Sequence, residues 1–191
     1  KRLDKRIRSL DSRVIKVIAA LSWSVSDILM YNSLGELTCD RRPLGSISVQ
    51  TIFQQAGRTE NSSVSRSLRE GVEMIGDEVL EDLAQRAVKG MDERFEARRP
   101  KGGQMPVVMG AGASGILLHE AMGHAFEADF NRKGQSIFAD KMGKRICPAG
   151  INILDDGTLH ANRGACNYDD EGIPGQKTYM VTDGVLTSYL H

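Results

Sequence analysis

"VIKVIAALSWSVSDILMYNSLGELTCDRRPLGSISVQTIF", residues 14–53, sets the fold class. Its two ends, "VIKVIAALSWSVSDILMY" and "GSISVQTIF", are rich in the β-branched side chains that fit a pleated surface. Between Tyr31 and Leu37 stands "NSLGE", small and polar, the composition of a hairpin turn. The stretch therefore reads as an antiparallel meander. The next segment, "QQAGRTENSSVSRSLREG" (54–71), is polar and small and reads as a mobile loop. From Gly76 to Arg98 the period changes. Val79, Leu80, Leu83, Ala84, Ala87, Val88, Met91 and Phe95 recur at three and four, which predicts one long amphipathic helix. Asp77 and Glu78 stand at its positive end. The fold class is α+β: an antiparallel sheet with a long amphipathic helix, followed by a second region.

"RRPKGGQMP" (98–106) stops the helix and reads as a linker. Residues 1–100 are thus expected to form one α+β domain and 101–191 the first part of another. Residues 1–16 hold seven basic and two acidic side chains but no aromatic one, which favours a solvated helical face over a nucleic-acid contact. The whole chain balances 25 basic against 25 acidic residues, so no global field draws it to nucleic acid. No apolar run reaches the ~18 residues of a membrane span. There is no secretory signal, and a start at Lys1 rather than Met points to a fragment. Cys39, Cys147 and Cys166 are odd in number and include no C-x-x-C pair, which favours free thiols in a reducing compartment.

In the second region "MPVVM" (105–109) reads as a strand, "GAGASG" (110–115) as a tight turn, and the following residues as a helix. Downstream, "INILDDGTLHA" and "TYMVTDGVLTSYL" each set Asp-Gly between strand-like runs, the signature of a hairpin.

The helix after the glycines carries "HEAMGH", residues 119–124. The usual zinc-protease motif separates its histidines by four positions; here His119 and His124 are five apart. On a regular α-helix that spacing turns the two side chains roughly 140° away from each other. A π-bulge, or an early helix end near Gly123, would bring them back to one face. Neutral imidazoles there could hold a metal ion. Glu120 beside them could take a proton from an attacking water and pass it to a leaving amine, while the metal polarises a carbonyl. Glu127, Asp129, His160 and Cys166 are the local side chains that could add a further ligand.

Two other motifs compete. "GAGASG" is literally G-x-G-x-x-G, the fingerprint of a dinucleotide-binding oxidoreductase. The regular β-α-β alternation is missing, and no acidic residue falls at a strand end about 20 residues on. "NYDDEG" (167–172) imitates a calcium loop, but Thr178 holds the twelfth position, where a glutamate belongs. Arg163 could contact a carboxylate or pair locally.

"MPVVMGAGASGILLHEAMGHAFEADFNRKGQSIFADKMGK" together with "ILDDGTLHANRGACNYDDEGIPGQ" strongly resembles the TldD/PmbA family of metalloproteases, on its TldD side. "KRLDKRIRSLDSRVIKVIAAL" also looks like that family's amino-terminal domain. The resemblance implies a cytoplasmic zinc peptidase in which His119 and His124 bind Zn2+ and Glu120 is the catalytic base. It puts the third ligand, a cysteine, beyond His191, and none of the three cysteines here matches it. It implies action on unfolded peptides, including leader peptides, and a related TldE/PmbA-like subunit without the motif, or a second copy, as partner. A non-catalytic subunit is the remaining alternative, against which His119, Glu120 and His124 argue.

Overall fold

The computed structural model describes residues 1–191. The chain is α+β and forms two compact units. One comprises Lys1–Lys101 with Leu159–Pro174; the other comprises Gly102–Thr158 with Gly175–His191.

The first unit is built on three antiparallel strands in the order β1 (Val14–Tyr31), β2 (Leu37–Gln55), β3 (Arg58–Leu68). The β1–β2 hairpin closes at the expected turn, where the Asn32 side chain accepts the amides of Leu34 and Glu36. β2 is central, and its residues alternate: Ile47, Val49, Thr51 and Phe53 are buried, as the two-residue period of a half-buried strand requires. Against that face pack α1 (Arg2–Leu10), through Leu3 and Ile7, and α2 (Asp77–Val88), through Leu83, Ala84 and Ala87. Each fully buried leucine or isoleucine of this set contributes roughly 1.5–3 kcal/mol. Arg6 of α1 grips Glu81 of α2 with two hydrogen bonds, at 2.8 and 2.6 Å.

Two expectations are corrected here. Residues 54–71 are largely a strand and not a mobile loop: β3 pairs with β2 from Gln55↔Arg58 to Gly45↔Leu68. Polar side chains suffice because the backbone bonds come from β2, and pairs such as Ser46–Ser67, 2.7 Å apart, satisfy the hydroxyls. The predicted single helix is two. Gly90 has φ +74 and separates α2 from α3 (Met91–Glu96), although Met91 still reaches the same core.

In the second unit β4 (Ile153–Asp156), β5 (Lys177–Thr182) and β6 (Val185–Leu186) form an antiparallel sheet in that order. Asp183 and Gly184, at φ +48 and +78, close the expected β5–β6 hairpin. The other Asp-Gly signal does not close one. Asp156 instead caps the amide and hydroxyl of Thr158 at 2.9 and 2.6 Å, and β4 pairs with β5, beyond an excursion through Leu159–Pro174. "MPVVM" is not a strand either: residues 97–110 form no helix or strand, and Val108 is 98% exposed. β-branched side chains supply propensity, but a strand also needs a neighbour to take its backbone bonds.

Candidate metal centre

The stretch after the glycines starts as a short helix, α4 (Gly115–Leu118), and widens at once into a π-helical turn, His119–Gly123. The amide of His124 donates to the carbonyl of His119, a five-residue step. A 3-10 turn, His124–Phe126, follows, and the chain leaves the helical path at Glu127, where ψ is 127°. The two histidines are therefore stacked one turn apart, with ring centroids separated by 4.7 Å and planes crossed at 72°.

The core holds this distorted turn. Phe126 is fully buried and stacks on Phe138 with centroids 4.8 Å apart, while Met122 and Ala125 pack beside it. Buried Asn131, in α5 (Ala128–Arg132), donates from its side chain to the carbonyls of Ala125 and Glu127, both at 2.8 Å. With the inner face pinned, His119, Glu120 and His124 face outwards, and their ligand-type atoms all lie within 4.8 Å of one another. Two imidazoles and a carboxylate at this separation fit a divalent ion of intermediate softness, such as zinc. His124 Nε2 lies 3.8 Å from Glu120, and its Nδ1 lies 2.5 Å from Glu127. The Glu127 hydrogen bond, reinforced by the charges of Glu127 and Glu120, raises the His124 pKa above its ordinary value.

A groove of about 230 Å³ runs past these residues, with Leu118, Met122, Asp155 and Met180 also in its lining. A larger hollow, about 770 Å³, lies over Asp129, Arg132, Asp140 and His191, but His119, Glu120 and His124 do not line it.

The other candidates lie elsewhere. Asp129 belongs to α5 and faces Lys133 at 3.4 Å. His160, Arg163 and Cys166 belong to the segment that packs in the first unit, where the Cys166 thiol donates to the Tyr168 carbonyl. All three cysteines are free thiols. In "NYDDEG" the Asp169 carboxylate accepts the amides of Glu171 and Ile173, a turn and not a calcium loop. "GAGASG" lacks the strand that a dinucleotide fingerprint needs before it, and both sheets are antiparallel. No helix is long and apolar enough to cross a membrane. Asp155 stands beside an Asp-Gly turn signal in the sequence, and nothing local marks it as a neighbour of the histidines.

Residues 102–191 match the model of the PmbA/TldA metallopeptidase C-terminal domain, and residues 1–91 match that of the central domain. A metalloprotease TldD homolog from Haemophilus influenzae is 37% identical, over 98% of this chain and 40% of its own length. Two solved structures share the fold. A Thermotoga maritima protein described as a candidate modulator of a DNA gyrase superimposes with a TM-score of 0.80 at 22% identity, over 100% of this chain and 44% of its own. TldE from Thermococcus kodakarensis does so with a TM-score of 0.76 at 19% identity, over 99% and 42%. The chain spans about 40% of the length of the curated relatives it matches. It belongs to the TldD/PmbA family of metalloproteases.

Proposed function

We propose that the chain carries the metal-binding half of a zinc peptidase active site, with His119 and His124 as ligands and Glu120 as the general base. The observation that carries this is the π-helical turn, which puts the donors of His119, Glu120 and His124 within 4.8 Å. A zinc ion held there supplies Lewis-acid polarisation of a carbonyl and acidifies water. Glu120, 63% exposed, is free to take a proton from the attacking water and return it to the leaving amine. Two imidazoles fall short of the three protein ligands usual in catalytic zinc sites. The third, a cysteine by the family resemblance, is proposed to come from outside these 191 residues. Unfolded peptides, leader peptides among them, are the proposed substrates. A related TldE-like subunit or a second copy is the proposed partner, and the cytoplasm the proposed location. The division near residue 100 into two domains belongs to the same proposal.

The test is Glu120→Gln in the full-length protein. Zinc binding should persist while cleavage of an unstructured peptide falls at least ~10²-fold, the low end for general base catalysis. His119→Ala and His124→Ala should lose both. A Glu120→Gln protein that cleaves at the native rate would remove the assigned role.

A further inference from the structure

We infer that Glu127 is a positioning residue of the metal centre: it accepts the Nδ1 proton of His124 and so leaves the Nε2 lone pair for the ion. This rests on the reading of His124 as a ligand. A neutral imidazole has one donor and one acceptor nitrogen, and the partner of one nitrogen fixes the role of the other. The two nitrogens of His124 face different groups. Nδ1 meets Glu127 at 2.5 Å, and Nε2 is 3.8 Å from Glu120, on the side of the donor cluster. Were the proton on Nε2, an ion would have to displace it before binding.

The contact is built and not incidental. Glu127 ends the 3-10 turn, and its carbonyl accepts both the amide of Asn131, at 3.2 Å, and the side-chain amide of that residue. On either side, the Ala128 amide donates to the Leu190 carbonyl at 2.7 Å, and the Leu190 amide donates to the Phe126 carbonyl at 2.9 Å. Asn131 is only 7% exposed. The backbone on both sides of Glu127 is thus tied to the core, and the carboxylate is delivered to one edge of one ring. Its commitment to Nδ1 also sets it apart from a third ligand, for the close donor cluster consists of His119, Glu120 and His124. Ligating histidines commonly donate their other N–H to a carboxylate, which orients the ring and raises its basicity.

The experiment uses the full-length protein with ¹⁵N-labelled histidine. Metal-free samples near pH 8.5 are read for the His124 tautomer by long-range ¹H–¹⁵N correlation, and zinc is then titrated calorimetrically. The wild type should carry the proton on Nδ1. Glu127→Ala should lose that preference and bind zinc 10–100-fold more weakly, the usual effect of removing such a partner. Glu127→Gln, whose amide oxygen still accepts the Nδ1 proton, should keep the tautomer and recover part of the affinity. Should Ala not fold, Glu127→Asp draws the carboxylate back by one methylene and should lose the tautomer in the same way. A wild-type proton on Nε2, or a Glu127→Ala protein with unchanged tautomer and zinc affinity within twofold, would overturn the inference. A tautomer that answers to Glu127 in a wild type that binds no zinc would support the contact and sink the ligand reading of His124.

Discussion

At the scale of single residues, two glycines show where side-chain absence is required and where it is not. Gly184 has φ +78, and a Cβ there would press into the carbonyl oxygens of Cys147 and Pro148. Both the backbone strain and the clash resist substitution. Gly184→Ala should therefore cost about 1–3 kcal/mol or more, measured as a lower denaturant midpoint. Gly123, inside the π-helical turn, has φ −54 and ψ −56, and a Cβ would sit 3.5 Å from His119 Nδ1, an ordinary contact. Gly123→Ala should be accommodated and, by helix propensity, gain up to about 1 kcal/mol. A destabilised Gly123→Ala protein would show that the turn depends on the glycine itself and not on the core beneath it.

At the scale of elements, α1 and α2 are joined by apolar packing and by two ion pairs, Arg2–Asp77 and Arg6–Glu81. The Arg6 hydrogen bonds, with help from Gln85, hold Glu81 at about 2, against an ordinary 4.5. A carboxyl lowered in the fold stabilises above its unfolded pKa and stops doing so as the pH falls through the folded value. Stability should thus decline between about pH 4.5 and 2, and Glu81→Gln should flatten that decline in acid titrations followed by circular dichroism. The pair is solvent-exposed, so the amplitude should be small. In the second unit, the distorted motif hangs on Phe126. Phe126→Ala should cost roughly 3–5 kcal/mol by emptying a filled site. It should weaken zinc binding together with stability. Substitution of an outward ligand should instead lose zinc with stability nearly unchanged.

At the scale of the whole molecule, the long excursion Leu159–Pro174 is held in the first unit by a buried charge. Asp40 has a side chain 1% exposed and bonds to Arg42 at 2.7 Å, to Arg69 at 3.3 Å and to Asn167 at 2.8 Å. Arg42 and Arg69 in turn donate to the carbonyls of Tyr168 and Ala165. Burial pushes the Asp40 carboxyl up. The Arg42 and Asn167 hydrogen bonds and the two guanidinium charges outweigh it, and the pKa lies below its ordinary 3.8. The carboxylate therefore stabilises the fold above about pH 3.8 and is lost only in stronger acid. Asp40→Ala leaves two arginines without their buried partner, which should cost roughly 3–5 kcal/mol. Hydrogen exchange should quicken in residues 159–174 before it does in β5 and β6. Uniform quickening along the chain would argue against a local clasp.

The sequence by itself determined the features whose causes lie within a few residues. These are the meander of residues 14–53, the helical face from Val79 to Val88, and the turn at Asp183-Gly184. The π-helical turn is foreshadowed by two histidines five apart, but the core around Phe126 and Phe138 holds it. Periodicity and turn stereochemistry are local, so they can be read locally. Only the tertiary structure decided that polar residues 58–68 are a strand, that apolar residues 105–109 are not, and that β4 passes over its own turn to pair with β5. It also decided that Asp40 gathers groups from residues 69 and 167, and that Glu127 turns to the Nδ1 edge of His124 rather than joining the donor cluster. In each case the deciding partner is a hydrogen-bonding group set by chain reversal or packing. A residue's own chemistry states what it can bond to, but only the fold states what stands within reach.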